Sequence, residues 1–288
     1  MEIVLNWLVK PLSYSFMQHG FIAAVLVGIL CSVIGCYVVL RSMAFLGDAM
    51  AHAILPGVAI AYLIGGSLTI GALIAAIAVA FGIGFISKQG TIKEDTAIGI
   101  LFTAALALGI AIISTIKTYA TDLSHILFGN ILGANLTSII ISIIITFFVI
   151  AIVLVFYKEF LLITFDPVFA FTIRLKVEFF RYLLLMLIAL TIVVSIQTVG
   201  VVLVAAMLVT PAASAFLLVR RLPAMMALSA LIGIFSSIIG LYISYYANIA
   251  SGASIVLTAT VIFLIIFVFS PRKGIIWRRF KMPAKNRG

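Results

Sequence analysis

Charge is what this chain of 288 residues has least of: 9% of its residues are Asp, Glu, Lys or Arg, against about 25% in a soluble globular domain. Acidic side chains number only eight, while 65% of residues are apolar and the mean hydropathy is +1.39. No aqueous fold hides that much hydrocarbon, so a soluble domain is excluded. The net charge of +10 would suggest nucleic-acid binding in a soluble protein; here membrane topology accounts for it, and no nucleic-acid partner is expected.

Cysteine is nearly absent. Cys31 and Cys36 stand five apart in one apolar stretch, which points them to different faces of a helix, so neither a disulfide nor a CxxC site is expected and both read as core packing. No GxxxxGK[ST] sequence occurs. The chain therefore has no loop to cradle ATP phosphates, is not itself expected to be an enzyme, and depends on another chain for any ATP that drives it. No separable soluble domain is present, and residues 1–288 read as one membrane domain.

The chain does have long charge-free runs, and about 20 apolar residues span a bilayer core about 30 Å thick. Residues 11–40, 96–116 and 126–157 each supply one span. Residues 53–87 and 182–219 hold 35 and 38 uncharged residues, about 52 and 57 Å as continuous helix, so each must fold back. The expected turns are Gly65-Gly66-Ser67 and Gln197 to Gly200. Residues 222–271 form two more helices with a turn near Asn248 to Gly252. The sum is an all-α polytopic bundle of eight to nine spans.

The basic residues fall on alternate loops. With the N-terminus outside, sixteen of the 18 Lys and Arg lie in the cytoplasm, including the tail 272–288, and only Lys10 and Lys117 lie outside. The positive-inside rule thus predicts N-out, C-in. Residues 1–17, with Glu2, Lys10 and Pro11, read as an interfacial segment and not as a cleaved signal peptide.

The longest cytoplasmic insertion is 158–178, KEFLLITFDPVFAFTIRLKVE. Asp166-Pro167 is a helix-start signal, Asp at the N-cap and Pro at the first helical position, with an amphipathic helix running to about Leu175. Such a helix can lie on lipid headgroups or dock in a groove of a cytosolic partner.

The most informative segment is RSMAFLGDAMAHAILPGVAIAYLIGG, Arg41 to Gly66. Asp48 and His52 are four apart, so one helix places them on one face. If that helix starts at about Ser42, His52 lies roughly 15 Å along it, near the bilayer midplane. A charged Asp there costs about 2.5–3.5 kcal/mol, which makes an intramembrane carboxylate a functional candidate. The alternative is that Asp48 caps a helix beginning after Gly47 and His52 bonds a neighbour. As a metal site, carboxylate plus imidazole suits manganese, iron or zinc. Two donors are too few for transport, but a two-fold dimer would supply four. Pro56 is expected to loosen the helix beyond His52. Thr210-Pro211 reads as a helix break or hinge among small residues. His125, expected outside, is a weaker candidate for contact with incoming metal, and His19 has no assigned role.

Taken together, SMAFLGDAMAHAILPGVA, IKEDTAIGILFT, DLSHILFGNIL, the Asp166-Pro167 segment and VGVVLVAAMLVTPAASA resemble the metal-ion permease subunits of ABC importers. These are the ABC-3 type that takes up manganese, zinc or iron and pairs with a cluster A-1 solute-binding protein. The resemblance covers almost the whole chain. It implies a homodimer in the bacterial cell membrane, bound to two cytosolic ATPase subunits and fed by an extracellular metal-binding lipoprotein, with no permanently bound cofactor and Mn2+ or Zn2+ as cargo. It further implies that Asp48 and His52 coordinate and gate the metal, and that Asp166, Pro167, Phe169 and Ala170 couple to the ATPase. The chain departs from the family pattern at Asn248 and Ala250, where an acidic residue and a proline are expected.

An ATP-independent secondary transporter is the competing reading. Proton or sodium coupling draws on several intramembrane carboxylates or broken-helix ion sites, and one Asp is thin provision. An intramembrane protease would need a nucleophile and base in mutual reach, and no Ser/His or paired-Asp motif supplies them.

Overall fold

A computed structural model describes residues 10–88, 92–115, 131–133 and 135–270. Among the described residues all regular structure is helical. In chain order the helices are α1 (Ser15–Leu40), α2 (Leu46–Ala53), α3 (Leu55–Leu63), α4 (Leu68–Lys88), α5 (Glu94–Ile113), α6 (Leu136–Val155), α7 (Tyr157–Phe165), α8 (Pro167–Thr172), α9 (Val177–Val199), α10 (Val201–Leu218), α11 (Leu222–Ala247) and α12 (Ser251–Phe269), with a 3-10 turn at Ile131–Gly133. Nine segments among these residues are long and apolar enough to cross a membrane, α2 and α3 together forming one of them, Leu46–Leu63. The chain is a multi-pass membrane protein, with nine such segments among its described residues. The stretch carrying Lys117 and His125, residues 1–9 and the basic tail lie outside the described residues.

The turns follow from residues that tolerate positive φ. Gly65 (φ 66) lies between α3 and α4, Gly200 (φ 88) joins α9 to α10, and Asn248 (φ 53) ends α11. Asn is one of the few L residues that enters the left-handed region readily, which gives a local reason for Asn248 at a position where the family pattern suggests an acid.

Lipid offers helices no hydrophobic reason to associate, so contact relies on small residues and interhelical hydrogen bonds. The two longest spans, α1 and α11 at 26 residues each, are joined in this way: Ser229 Oγ donates to the Ser32 carbonyl at 3.1 Å and Ser237 Oγ to the Ala24 carbonyl at 3.0 Å. Gly35 of α1 lets the α10 backbone approach so closely that an added Cβ would run into the Leu208 carbonyl. Gly57 of α3 and Gly71 of α4 face each other's carbonyls in the same manner. Cys31 and Cys36 are both free and buried, with Cys31 Sγ 3.5 Å from Ser195 Oγ.

Three expectations need correction. Ser42 has φ 58 and cannot begin a helix, so α2 starts four residues later. No break occurs at Thr210-Pro211: α10 runs through Pro211, and Ser214 Oγ donates to the Thr210 carbonyl at 2.8 Å, part of the local repair that lets proline stand in a membrane helix. The first span begins at Ser15, which takes residues 15–17 out of the interfacial segment; Met17 is buried.

Candidate metal-transport site

Asp48 stands in the first turn of α2, where a carboxylate is favoured by the helix dipole. It does not cap that helix, which begins two residues earlier at Leu46, with Phe45 at the N-cap and no side-chain cap bond. One turn on, His52 Nε2 lies 3.7 Å from Asp48 Oδ1, and its ring is 6.1 Å from that of Phe102 on α5. Because α2 starts at Leu46, His52 is about 9 Å along it, not 15 Å. The helix then stops at Ala53; Ile54 separates it from α3, and Pro56 occupies the first turn of α3. The chain is thus interrupted directly beyond the pair.

Burial departs from expectation. Asp48 is 58% exposed and His52 28% exposed, so the carboxylate lies on the surface of the protomer and not in its interior. It borders a cavity of about 220 Å³, whose lining includes Phe45, Ile98, Phe102 and a second carboxylate, Asp95. Sequence reading passed over Asp95 because it sits at a helix end. The available signal was the IKEDTAIGILFT motif, which sets Glu94 and Asp95 side by side in the first turn of α5. Among the described residues no three His, Cys, Asp or Glu side chains gather tightly enough to hold a metal ion.

Glu94 itself turns away to a charged cluster. Its Oε1 lies 2.7 Å from Arg41 Nη2 and 2.9 Å from Arg181 Nε. Arg181 Nη2 donates to the Gly84 carbonyl at 3.4 Å and also to Ser87 Oγ, while Nη1 lies 3.6 Å from Glu178 Oε1. Burial pushes the Arg41 pKa below its ordinary value; Glu94 opposes that shift and Arg181 adds to it.

The insertion 158–178 folds as α7 and α8. Asp166 is the N-cap of α8, its Oδ1 accepting from Phe169 N at 2.8 Å, and Pro167 follows at the first position. The helix ends at Thr172, before Leu175, and Arg174 takes φ 61 just beyond it. Val168, Phe169 and Phe171 are exposed. Ala170 is 0% exposed, so it faces its own protomer and cannot touch a partner.

Comparison with known proteins places these features in context. A model of the ABC 3 transport family matches residues 13–270. The manganese transport system membrane protein MntC of Halalkalibacterium halodurans is 50% identical over 270 residues, 94% of this chain and 92% of that one. A probable iron transport system membrane protein of Haemophilus influenzae is 39% identical over 265 residues, 92% of this chain and 97% of that one. Among solved structures, PsaBC from Streptococcus pneumoniae in complex with Fab contains a chain 39% identical to this one, with a TM-score of 0.84, covering 97% of this chain and 100% of that chain.

Proposed function

Because the chain belongs to the ABC 3 transport family, matched from residue 13 to residue 270, we propose that it is the membrane permease of an ATP-driven importer of divalent transition metal, with manganese as the first-choice cargo. The observation that carries the site assignment is Asp48, a carboxylate 58% exposed on an apolar protein and 3.7 Å from an imidazole. Lipid contact there would be costly. A second copy of the chain across a two-fold axis would cover it and bring two Asp and two His to one metal path. Oxygen and nitrogen donors suit Mn2+, Fe2+ and Zn2+; the relative named for manganese is more similar to this chain than the one named for iron, which favours Mn2+.

The rest of the reading follows from topology. With N-out, C-in orientation, α7 and α8 face the cytosol and meet one of two ATPase subunits, and metal arrives outside from a binding lipoprotein. Residues 1–288 then form one permease domain, the tail 272–288 stays in the cytoplasm, and ATP hydrolysis belongs to the partner. The interruption at Ile54 and Pro56 gives the metal-bearing span a place to bend.

The test is reconstitution of this chain with its partner ATPase in proteoliposomes, with binding protein supplied outside, followed by uptake of Mn2+, Fe2+ and Zn2+. ATP-dependent Mn2+ uptake is expected. Uptake driven by an ion gradient without ATP would instead establish a secondary transporter.

Docking gives a separate prediction. Asp166→Ala removes a helix cap worth about 1 kcal/mol, and Phe169→Ala removes an exposed aromatic, the kind of side chain that anchors interfaces. Both should weaken ATPase association, measured by co-purification, while leaving metal binding to the permease intact. Unchanged association in both variants would assign α8 to the lipid surface.

A further inference from the structure

The motif IKEDTAIGILFT contributes Asp95 to the cavity beside Asp48, which leaves its neighbour Glu94 without a part in the metal path. Glu94 is 21% exposed and touches two arginines that are each 12% exposed. Desolvation offsets most of the attraction in such a pair, so stability is a weak explanation for it; fixing register is the better-attested use.

What the cluster joins is specific. Arg41 ends α1 and precedes Asp48 by seven residues, through the tight turn at Ser42. Arg181 lies near the start of α9, the helix that follows α8. Beside it, Phe180 packs on Phe156 and Phe160 with ring centroids 5.5 and 6.1 Å apart, and Phe160 packs on Tyr37 of α1 at 5.8 Å. The first turn of α9 is thus packed by aromatic contact against α7, the helix that leads into α8. Glu94 opens α5, which carries Asp95 to the Asp48 cavity and Phe102 to His52.

The cluster also holds an alternative pairing. Arg41 Nη1 and Glu178 Oε2 are both buried and lack hydrogen-bond partners, a free donor and a free acceptor within one chain of ion pairs. Arg181 already contacts both acids, Glu94 at 2.9 Å and Glu178 at 3.6 Å, so the cluster offers this arginine two partners. Transmission between sites requires such an element with two discrete arrangements.

We propose that Glu94 is a positioning residue for metal transport: with Arg181 and Arg41 it ties the docking helix α8 to the Asp48–His52 segment, so that movement at α8 repositions α2 and α5 around the metal path. The proposal rests on the permease reading above. It touches neither the metal donors nor the docking surface.

The test measures ATP hydrolysis and metal uptake together in proteoliposomes holding the complete complex. Glu94→Gln keeps the shape and removes the charge. ATP hydrolysis should stay within about twofold of the parent, while metal taken up per ATP falls about tenfold, within the usual range of coupling between sites. The Mn2+ concentration for half-maximal uptake should not change. Glu94→Asp, which keeps the charge, should recover much of the loss. Glu178→Gln, at a side chain 42% exposed, is the milder variant if Glu94→Gln fails to accumulate, and it should lower the same ratio. A merely structural role would reduce hydrolysis and uptake in proportion, and an unchanged ratio in the variant that folds overturns the proposal. Parent complex that hydrolyses ATP without moving metal would overturn the permease reading instead.

Discussion

Asp48→Ala and His52→Ala should each insert and fold like the parent yet lose metal uptake by more than about 100-fold, since even changes behind a ligand cost about 10- to 100-fold. Each substitution removes two of the four donors that a two-fold dimer would offer. Folding should survive: neither side chain caps α2, Ala is the best helix former, and loss of a carboxylate relieves an insertion cost of about 2.5–3.5 kcal/mol. Uptake of Mn2+ into proteoliposomes, read beside the melting temperature of the purified protein, separates the two effects. Near-parent uptake in either variant would remove the pair from the transport path.

The second large effect is structural. At Gly35→Val the first added carbon meets the Leu208 carbonyl, with the carbonyl carbon 2.8 Å away, and main chain cannot rotate aside as a side chain would. Overpacking costs about 1–3 kcal/mol, occasionally more, and the upper end applies because α1 and α10 must separate. At about 2.1 cal/mol/K of unfolding entropy per residue, a chain of 288 residues shifts by roughly 1.7 °C per kcal/mol, so the melting temperature should fall by about 5 °C. Gly252→Ala is the control, since its added carbon comes no nearer than 4.0 Å to Leu203 Cβ; a helical Ala should leave stability equal or slightly raised. Equal losses at both positions would mean that close approach at Gly35 is not what holds the bundle together.

The spans were legible because a bilayer forces them to be. Uncharged length gave eight to nine spans, against nine candidate segments among the described residues, and Gly65, Gly200 and Asn248 fall where runs too long for one crossing had to turn. The Asp166 cap was equally plain, being a local rule. Relations between distant parts of the chain were not. Glu94 meets Arg41 across 53 residues, and no periodicity announces such a pair. The late start of α2 depends on a left-handed Ser42, a conformation that serine seldom adopts. Exposure of Asp48 could not be read either, because burial depends on which face α5 covers. Ala170 failed for the same reason: the short helix was evident, but which side it turns to its own bundle was not.

The unequal lengths of the spans bear on the lipid around them. At 1.5 Å per residue, α1 and α11 with 26 residues measure about 39 Å, whereas the interrupted Leu46–Leu63 segment and α10 with 18 measure about 27 Å. A single hydrocarbon thickness of about 30 Å cannot match both sets, so the long helices must tilt or protrude while the short ones are matched or stretched. The segment bearing Asp48 is on the short side of this mismatch. In bilayers built from longer acyl chains its ends would be drawn inward, away from the headgroups, at the same moment that the long pair stands more upright. Transport rate should therefore depend on acyl-chain length even when every protein contact is unchanged.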